Sequence, residues 1–411
     1  MTTSTAGDAA VVRNLRLYPL LQACRNLYFW QAVWFLYLEG ELGPREAIVL
    51  AAVYDLGTVV LEVPSGYLCD VIGRRWTFVI ACLASCLGCA LLGWGSGFAV
   101  FALAQALQGL SAAFASGTGS ALLYESLAAT GREHELTAHE VRAHRYSFAA
   151  LALSAVIGGG LALIEPRLTY LATAAAAFAS LGLAWALVEP DPGEDTSRAA
   201  PPLRQLLAVA ARLRDPALAW LTAFAVLAIV LEDVPYVLLQ SYFKHLLAAH
   251  ALAGWTPAAT GGVIAAMMAV SAGVSGWAPG LQARVGLAWS LVATLALQLA
   301  LVLAMTLTLH PAVAALLVLR MVPRGLRDPL VSAATQPRLE RGYRATFLSL
   351  VNLVGRLVFT LSLLAVAWSL PPGAVLDHTA MQAVAPGYLV ACGAGTLLLV
   401  VARSWLRPGA G

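Results

Sequence analysis

The ten residues GYLCDVIGRR, Gly66–Arg75, decide how this chain is read. They hold one acid, two arginines and two glycines, yet long apolar runs lie on both sides of them. A short polar knot between two such runs reads as a tight turn joining two membrane helices. Gly66 would allow a close backbone approach, and Gly73 a turn geometry closed to residues with a Cβ. Asp70 can cap the next helix or pair with an arginine. Arg74 and Arg75 would hold the turn on the cytoplasmic side.

The rest of the chain supports a membrane setting. Of 411 residues, 60% are hydrophobic and 11% charged, and the mean hydropathy is +0.77. Soluble domains run nearer about 45–50% apolar and about 25% charged. A bilayer core takes roughly 20 mostly apolar residues per helix. Apolar runs of that length predict passages at 17–38, 46–68, 76–95, 98–123, 146–164 and 168–188, then at 216–243, 257–280, 286–308, 311–334, 345–368 and 385–406. Between the two sets lies EPDPGEDTSRAAPPLRQ (residues 189–205), rich in Pro, Asp and Arg, which reads as a linker. The expected organisation is an N-terminal six-helix bundle over 1–188, a cytoplasmic linker over 189–215 and a C-terminal six-helix bundle over 216–411. This is an all-α integral membrane protein of two six-helix pseudo-repeats. The opening MTTSTAGDAAVVRNLR lacks an early apolar core, so the first passage is expected to serve as its own insertion signal.

Charge placement tests the helix count. With both termini cytoplasmic, seventeen basic residues fall on inner segments, and only Arg45, Arg167 and Lys244 fall outside. That bias follows the positive-inside rule for an even number of passages. Cys82, Cys86 and Cys89 share one helix face at i, i+4, i+7 and read as small packing residues.

On these residues the chain resembles the major facilitator superfamily. Gly66, Leu68, Asp70, Gly73, Arg74 and Arg75 match that family's loop G-x-L-x-D-x-x-G-R-R/K, with Val71 in place of a frequent arginine. SGTGSALLYESL (Ser116–Leu127) and RATFLSLVNLVGRL (Arg344–Leu357) look like segments of a bacterial branch whose members mostly lack assigned substrates. The resemblance implies that Gly66, Asp70, Gly73, Arg74 and Arg75, with Glu125, form a latch holding the two halves in one state. Two departures stand out. Gln105 occupies the place of the arginine in the family's fourth-helix motif, and SAVIGGG (Ser154–Gly160) matches the antiporters' glycine motif only in part.

Setting aside Glu46 and Arg403 near passage ends, ten charged residues fall inside predicted passages: Arg25, Asp55, Glu62, Glu232, Asp233, Arg320, Arg324, Arg327, Asp328 and Arg356. Each costs roughly 2.5–3.5 kcal/mol at a helix centre, so they must pair or line a wet cavity. Arg25 and Glu62 fall at similar depth and read as an ion pair or a functional pair. Asp55 falls near the midplane. Glu232 and Asp233 are adjacent and point about 100° apart, so one can face a pathway while the other packs. In RMVPRGLRDP (Arg320–Pro329) three arginines recur at i, i+4, i+7 beside Pro323, Gly325 and Pro329. This reads either as a site for a carboxylate or phosphate, or as a network neutralised by Asp328 and the acids of passage seven.

The resulting expectation is a secondary transporter, not an enzyme, that exports a small organic molecule by alternating access with proton coupling. The expected pathway residues are Arg25, Asp55, Glu232, Asp233, Arg320, Arg324 and Arg356. An uptake symporter or uniporter, and a transport-inactive sensor or assembly subunit, are the alternatives. No cofactor, metal or nucleic acid is expected. The chain is expected to act as a monomer spanning the inner membrane, with H+ as coupling ion.

Overall fold

The computed structural model describes residues 4–129, 131–189, 210–335, 338–339, 344–370 and 376–406; the side chains of residues 4–11, 63, 70, 137, 275, 344 and 345 lie outside it. Among the described residues there is no strand, and helices carry the chain through twelve passages. Passages two, three, five and six are Pro44–Ile72, Arg74–Trp94, Leu136–Ile164 and Pro166–Ala186. Passages seven, eight, nine, eleven and twelve are Pro216–Ala249, Thr256–Val274, Leu287–Leu307, Arg344–Ser369 and His378–Val401. Three passages are broken. Passage one is Ser4–Arg25, a 3₁₀ turn Phe29–Ala32 and Trp34–Leu42. Passage four is Phe98–Ala115 and Thr118–Ala128. Passage ten is Pro311–Leu316, a 3₁₀ turn Leu317–Met321 and Val322–Thr335.

Nine helices among the described residues are long and apolar enough to cross a bilayer, and the helices of passages one, two and ten are not among them. Those three carry seven of the ionisable residues singled out above: Arg25, Asp55, Glu62, Arg320, Arg324, Arg327 and Asp328.

The predicted boundaries differ from the structure mainly in passage one. A continuous helix over 17–38 was the expectation, but the helix begins at Ser4 and breaks at Arg25. In passage ten the break precedes the prolines. Pro323 has no N–H to give to the carbonyl four residues back, so the turn just before it tightens to 3₁₀.

The chain forms two compact units, 1–34 with 53–202 and 35–52 with 203–411. Of the expected linker, 189–215, only Glu189 and the residues from Ala210 on are described. Unit one has a core of Tyr18, Leu21, Phe78, Cys82, Leu122 and Leu127. Unit two has a core of Tyr242, Phe243, Met267, Leu301, Met305 and Met381. In lipid such cores gain little from the hydrophobic effect; close packing through small residues and hydrogen bonds holds the helices instead.

Unit one shows this where passages two and four cross. A Cβ at Gly109 would stand 2.5 Å from the Tyr54 carbonyl oxygen, so only glycine permits the approach. Unit two shows it at the restart of passage one. The first-turn N–H groups of Phe35 and Leu36 donate to the Gln240 Oε1, at 3.0 and 3.3 Å. Those donors have no partner within their own helix, and a fully buried amide from passage seven supplies one. Trp34 and Tyr37, whose types suit an interfacial belt, are both buried here.

Candidate functional site

The signature turn sits between passages two and three of unit one. Gly73 has φ +93°, which strains any residue with a Cβ, and a Cβ there would also meet the Glu189 carboxylate at 2.6 Å. That carboxylate accepts the backbone N–H groups of Arg74 and Arg75, at 2.5 and 2.8 Å, and so caps passage three. The amides at a helix start attract an anion, and here it comes from the end of passage six. Two further ties fix the same corner. Asn14 donates to the Val188 carbonyl at 2.7 Å and accepts the Val188 N–H at 2.9 Å. Arg75 donates to the Trp185 carbonyl at 2.8 Å and lies over the Trp76 and Trp185 rings. Arg74 reaches across to passage four, where its Nε and Nη2 donate to Glu125 Oε1 at 3.1 and 2.9 Å. The Asp70 side chain lies outside the described residues. Gly66 was expected to allow close approach, but a Cβ there would meet nothing within 4 Å.

The break in passage one is held by side chains from passages five and six. Asn26 donates to Ser147 at 3.3 Å, and Gln31 to the Leu151 carbonyl at 2.7 Å. The free N–H of Phe29 donates to Thr173 at 3.1 Å. The Phe29 carbonyl oxygen lies against Gly158, at a place where no Cβ fits. Non-helical backbone is tolerated at membrane depth where protein groups replace the missing partners, as they do here.

Arg25 stands at the edge of this break. Its Nη1 reaches Gln22 Oε1 at 3.5 Å and its guanidinium lies over the Phe78 ring. The expected pairing with Glu62 does not form, because Arg25 faces passage three, whereas Glu62 accepts from Ser116 at 3.0 Å. Asp55 is buried in passage two and is not isolated.

Unit two gathers the densest charge. Glu232, 3% exposed, accepts from Arg324 Nη1 at 3.3 Å on Oε1 and from Arg327 Nη1 at 3.1 Å on Oε2. Arg320 donates its Nη2 to the backbone carbonyl of the same Glu232. All three members of the stripe therefore turn toward one residue of passage seven. Arg327 also donates to Asp328 at 3.0 Å, and Arg324 lies 3.9 Å from the other oxygen of Asp328. With Asp233 the set is three arginines and three acids, so its formal charge is zero.

Two members are incompletely paired. Arg320 is 2% exposed and stacks on the Tyr236 ring at 4.9 Å. Its Nε and Nη1 have no hydrogen-bond partner among the described residues. The cavity of about 10 Å³ beside it is the size of one water molecule at most. Asp233 is half-buried and makes no hydrogen bond or ion pair among the described residues. Its electrostatic neighbours are Glu232, Arg324, Arg320 and Arg356.

The sequence matches the family model of the Major Facilitator Superfamily over residues 23–363. The chain belongs to the major facilitator superfamily. No curated protein matches its sequence. Among solved structures it resembles the nucleoside transporter NupG, at TM-score 0.74 and 14% identity over 96% of this chain and 100% of that one. It also resembles a POT family transporter in complex with a thioalcohol-conjugated peptide, at TM-score 0.69 and 13% identity over 96% and 97%. An auto-inhibited POT family peptide transporter follows at TM-score 0.66 and 14% identity over 97% and 98%. At such identities the likeness shows the fold.

As a member of the superfamily the chain is a multi-span membrane transporter that takes a small-molecule substrate within a lipid bilayer. The superfamily's turn and the arginine stripe are legible in the sequence. Glu189, an acid with no motif around it, is not legible there, nor are Gln240 and Thr173, whose roles appear only once distant helices meet.

Proposed function

We propose that this chain is a proton-coupled secondary transporter that exports a small organic molecule by alternating access, with Asp233 as the proton carrier. One observation carries the assignment: of the two adjacent acids, Glu232 is clasped by two guanidinium groups while Asp233 has no direct partner among the described residues. A carrier must lose and regain charge, which arginine cannot do at accessible pH. Asp233 is free to do so beside Arg320, whose two unpartnered nitrogens suit an anionic group. Arg25, Asp55, Arg324 and Arg356 join this pathway in the proposal. The outward direction is part of the proposal, and the partial match of Ser154–Gly160 to the antiporters' motif weakens it; the direction of the gradient that drives accumulation decides. The zero formal charge of the cluster favours a second reading, a transport-inactive subunit in which the network is purely structural.

Acid-inside proteoliposomes bathed in a metabolite extract of the source cells test both readings by mass spectrometry. At least one compound should accumulate, and Asp233→Asn should abolish accumulation while exchange of that compound persists. Accumulation unchanged in the variant removes Asp233 as carrier. Accumulation only with an alkaline interior means uptake, and none under any gradient supports the transport-inactive reading.

The turn is proposed as a conformational latch built of Gly66, Asp70, Gly73, Arg74, Arg75 and Glu125. Glu125→Gln should then slow transport several-fold while insertion and yield stay normal, since the pair tunes an equilibrium and touches no substrate. Wild-type rates in that variant would remove the latch.

A further inference from the structure

The turns that open passages three and nine offer an internal comparison. Gly73, at φ +93° and ψ 161°, precedes passage three, and Gly286, at φ +81° and ψ 163°, precedes passage nine. Each is followed three residues later by a tryptophan, Trp76 and Trp289. The backbone of the turn is the same in both units, but the charges are not. Arg74 and Arg75 follow Gly73, whereas Leu287 and Ala288 follow Gly286. A Cβ at Gly73 would meet the Glu189 carboxylate, and one at Gly286 would meet nothing within 4 Å. At the Gly286 corner the chain beyond passage twelve brings a guanidinium instead, Arg403 over the Trp289 ring. The turn itself therefore needs no acid; Glu189 goes with the arginines.

The need is electrostatic. Passage three starts with two arginines and has no acid in its first turn, at a helix end that already carries positive partial charge. Gly73 has no side chain with which to cap that end. Glu189 takes the Arg74 and Arg75 N–H groups, which leaves Glu125 to the Arg74 guanidinium. The two acids reach the corner from different passages, and one side chain ties both. Asn14 of passage one is 3% exposed. Its Nδ2 donates to the Ser126 hydroxyl at 3.1 Å, beside Glu125, and to the Val188 carbonyl, beside Glu189. Its Oδ1 accepts the Val188 N–H. A buried amide is tolerated in a helix where its donors and acceptor are used, as they are here.

We infer that Glu189 and Asn14 are positioning residues of the latch. Glu189 occupies the backbone amides so that Glu125 is left for Arg74, and Asn14 fixes the two acid-bearing segments at one spacing. The inference rests on the latch reading given above and extends it to two residues outside the signature motif.

Hydrogen–deuterium exchange of the full chain in lipid nanodiscs tests it without a substrate, and so separately from the transport test of the latch. Glu189 is exposed, so Glu189→Gln should keep the fold while removing the charge. Exchange of the amides at the start of passage three should rise about fivefold, the size of a lost helix cap. Exchange in Thr118–Ala128, the helix that carries Glu125, should rise about twofold with it. Raised exchange in passage three with Thr118–Ala128 unchanged reduces Glu189 to a helix cap and overturns its positioning role; no change in either does the same. Asn14→Ala should raise exchange in both segments, and wild-type exchange there removes Asn14 from the set. Gly73→Ala and Gly286→Ala meet similar backbone strain, but only the first displaces Glu189. Only Gly73→Ala should therefore raise exchange in Thr118–Ala128, and an equal rise in both variants overturns the assignment.

Discussion

Glu232→Gln should lower thermal stability more than any other single change in the charge cluster. Glu232 is 3% exposed and its carboxylate holds Arg324 and Arg327 together, so its loss leaves both guanidinium groups with only the 58% exposed Asp328 as a paired acid. Breaking a buried pair costs about 3–5 kcal/mol. The low end applies here, because the Arg324 side chain is 54% exposed and partly served by solvent. Arg327 side-chain exposure is 13%, which keeps the cost substantial. Asp233→Asn should leave the melting temperature near wild type, since no direct contact is lost. Tryptophan fluorescence melts in detergent separate the two. A double-mutant cycle with Arg327→Gln adds a check: the second change should cost much less once Glu232 is neutral. Strict additivity would show that the pair is not energetically coupled.

The second large effect is expected at Gly158. A Cβ there would fall on the Phe29 carbonyl oxygen and stand 2.7 Å from its carbon and 2.9 Å from its Cα. These are backbone atoms, and Asn26, Gln31 and the Phe29 N–H already tie that stretch to passages five and six. Relief by a side-chain rotation is therefore closed, and overpacking that costs about 1–3 kcal/mol elsewhere should reach or exceed the top of that range. Gly160→Ala is the control within the same motif. Nothing lies within 4 Å of its added Cβ, and glycine to alanine inside a helix gains about 0.5–1 kcal/mol. Monodisperse yield on size exclusion should collapse for Gly158→Ala and hold for Gly160→Ala. Equal yields would show that passage one tolerates movement at Phe29.

These two residues mark how far the sequence could be read. Apolar run lengths, the arginine bias and the turn at Gly66–Arg75 sufficed for twelve passages, because each is a local signal. The arginine stripe was also local, and its convergence on passage seven follows from helical spacing. Which of Glu232 and Asp233 is clasped was not legible, since adjacent residues differ only in azimuth and the rotation of passage seven is set by its neighbours. The break in passage one was invisible for a different reason. Residues 26–33, NLYFWQAV, contain no glycine or proline, and the helix yields there because Thr173, 144 residues away, accepts the freed Phe29 N–H while the Asn26 and Gln31 side chains anchor the stretch to passage five.

The clasp at Glu232 also bears on how the protein is made. Its arginines follow it by 92 and 95 residues, so a ribosome adding about 5–20 residues per second leaves the acids waiting in the bilayer for seconds. Passage seven can wait: it is a 34-residue helix with a window of mean hydropathy 2.0, enough to hold two acids costing roughly 2.5–3.5 kcal/mol each. Passage ten cannot. Three arginines within eight positions exceed what its short, broken helices offset alone, and its partition into lipid depends on the counter-charge already resident there. On these charges the acid-bearing helix is expected to insert first and to act as the receptor for the basic one.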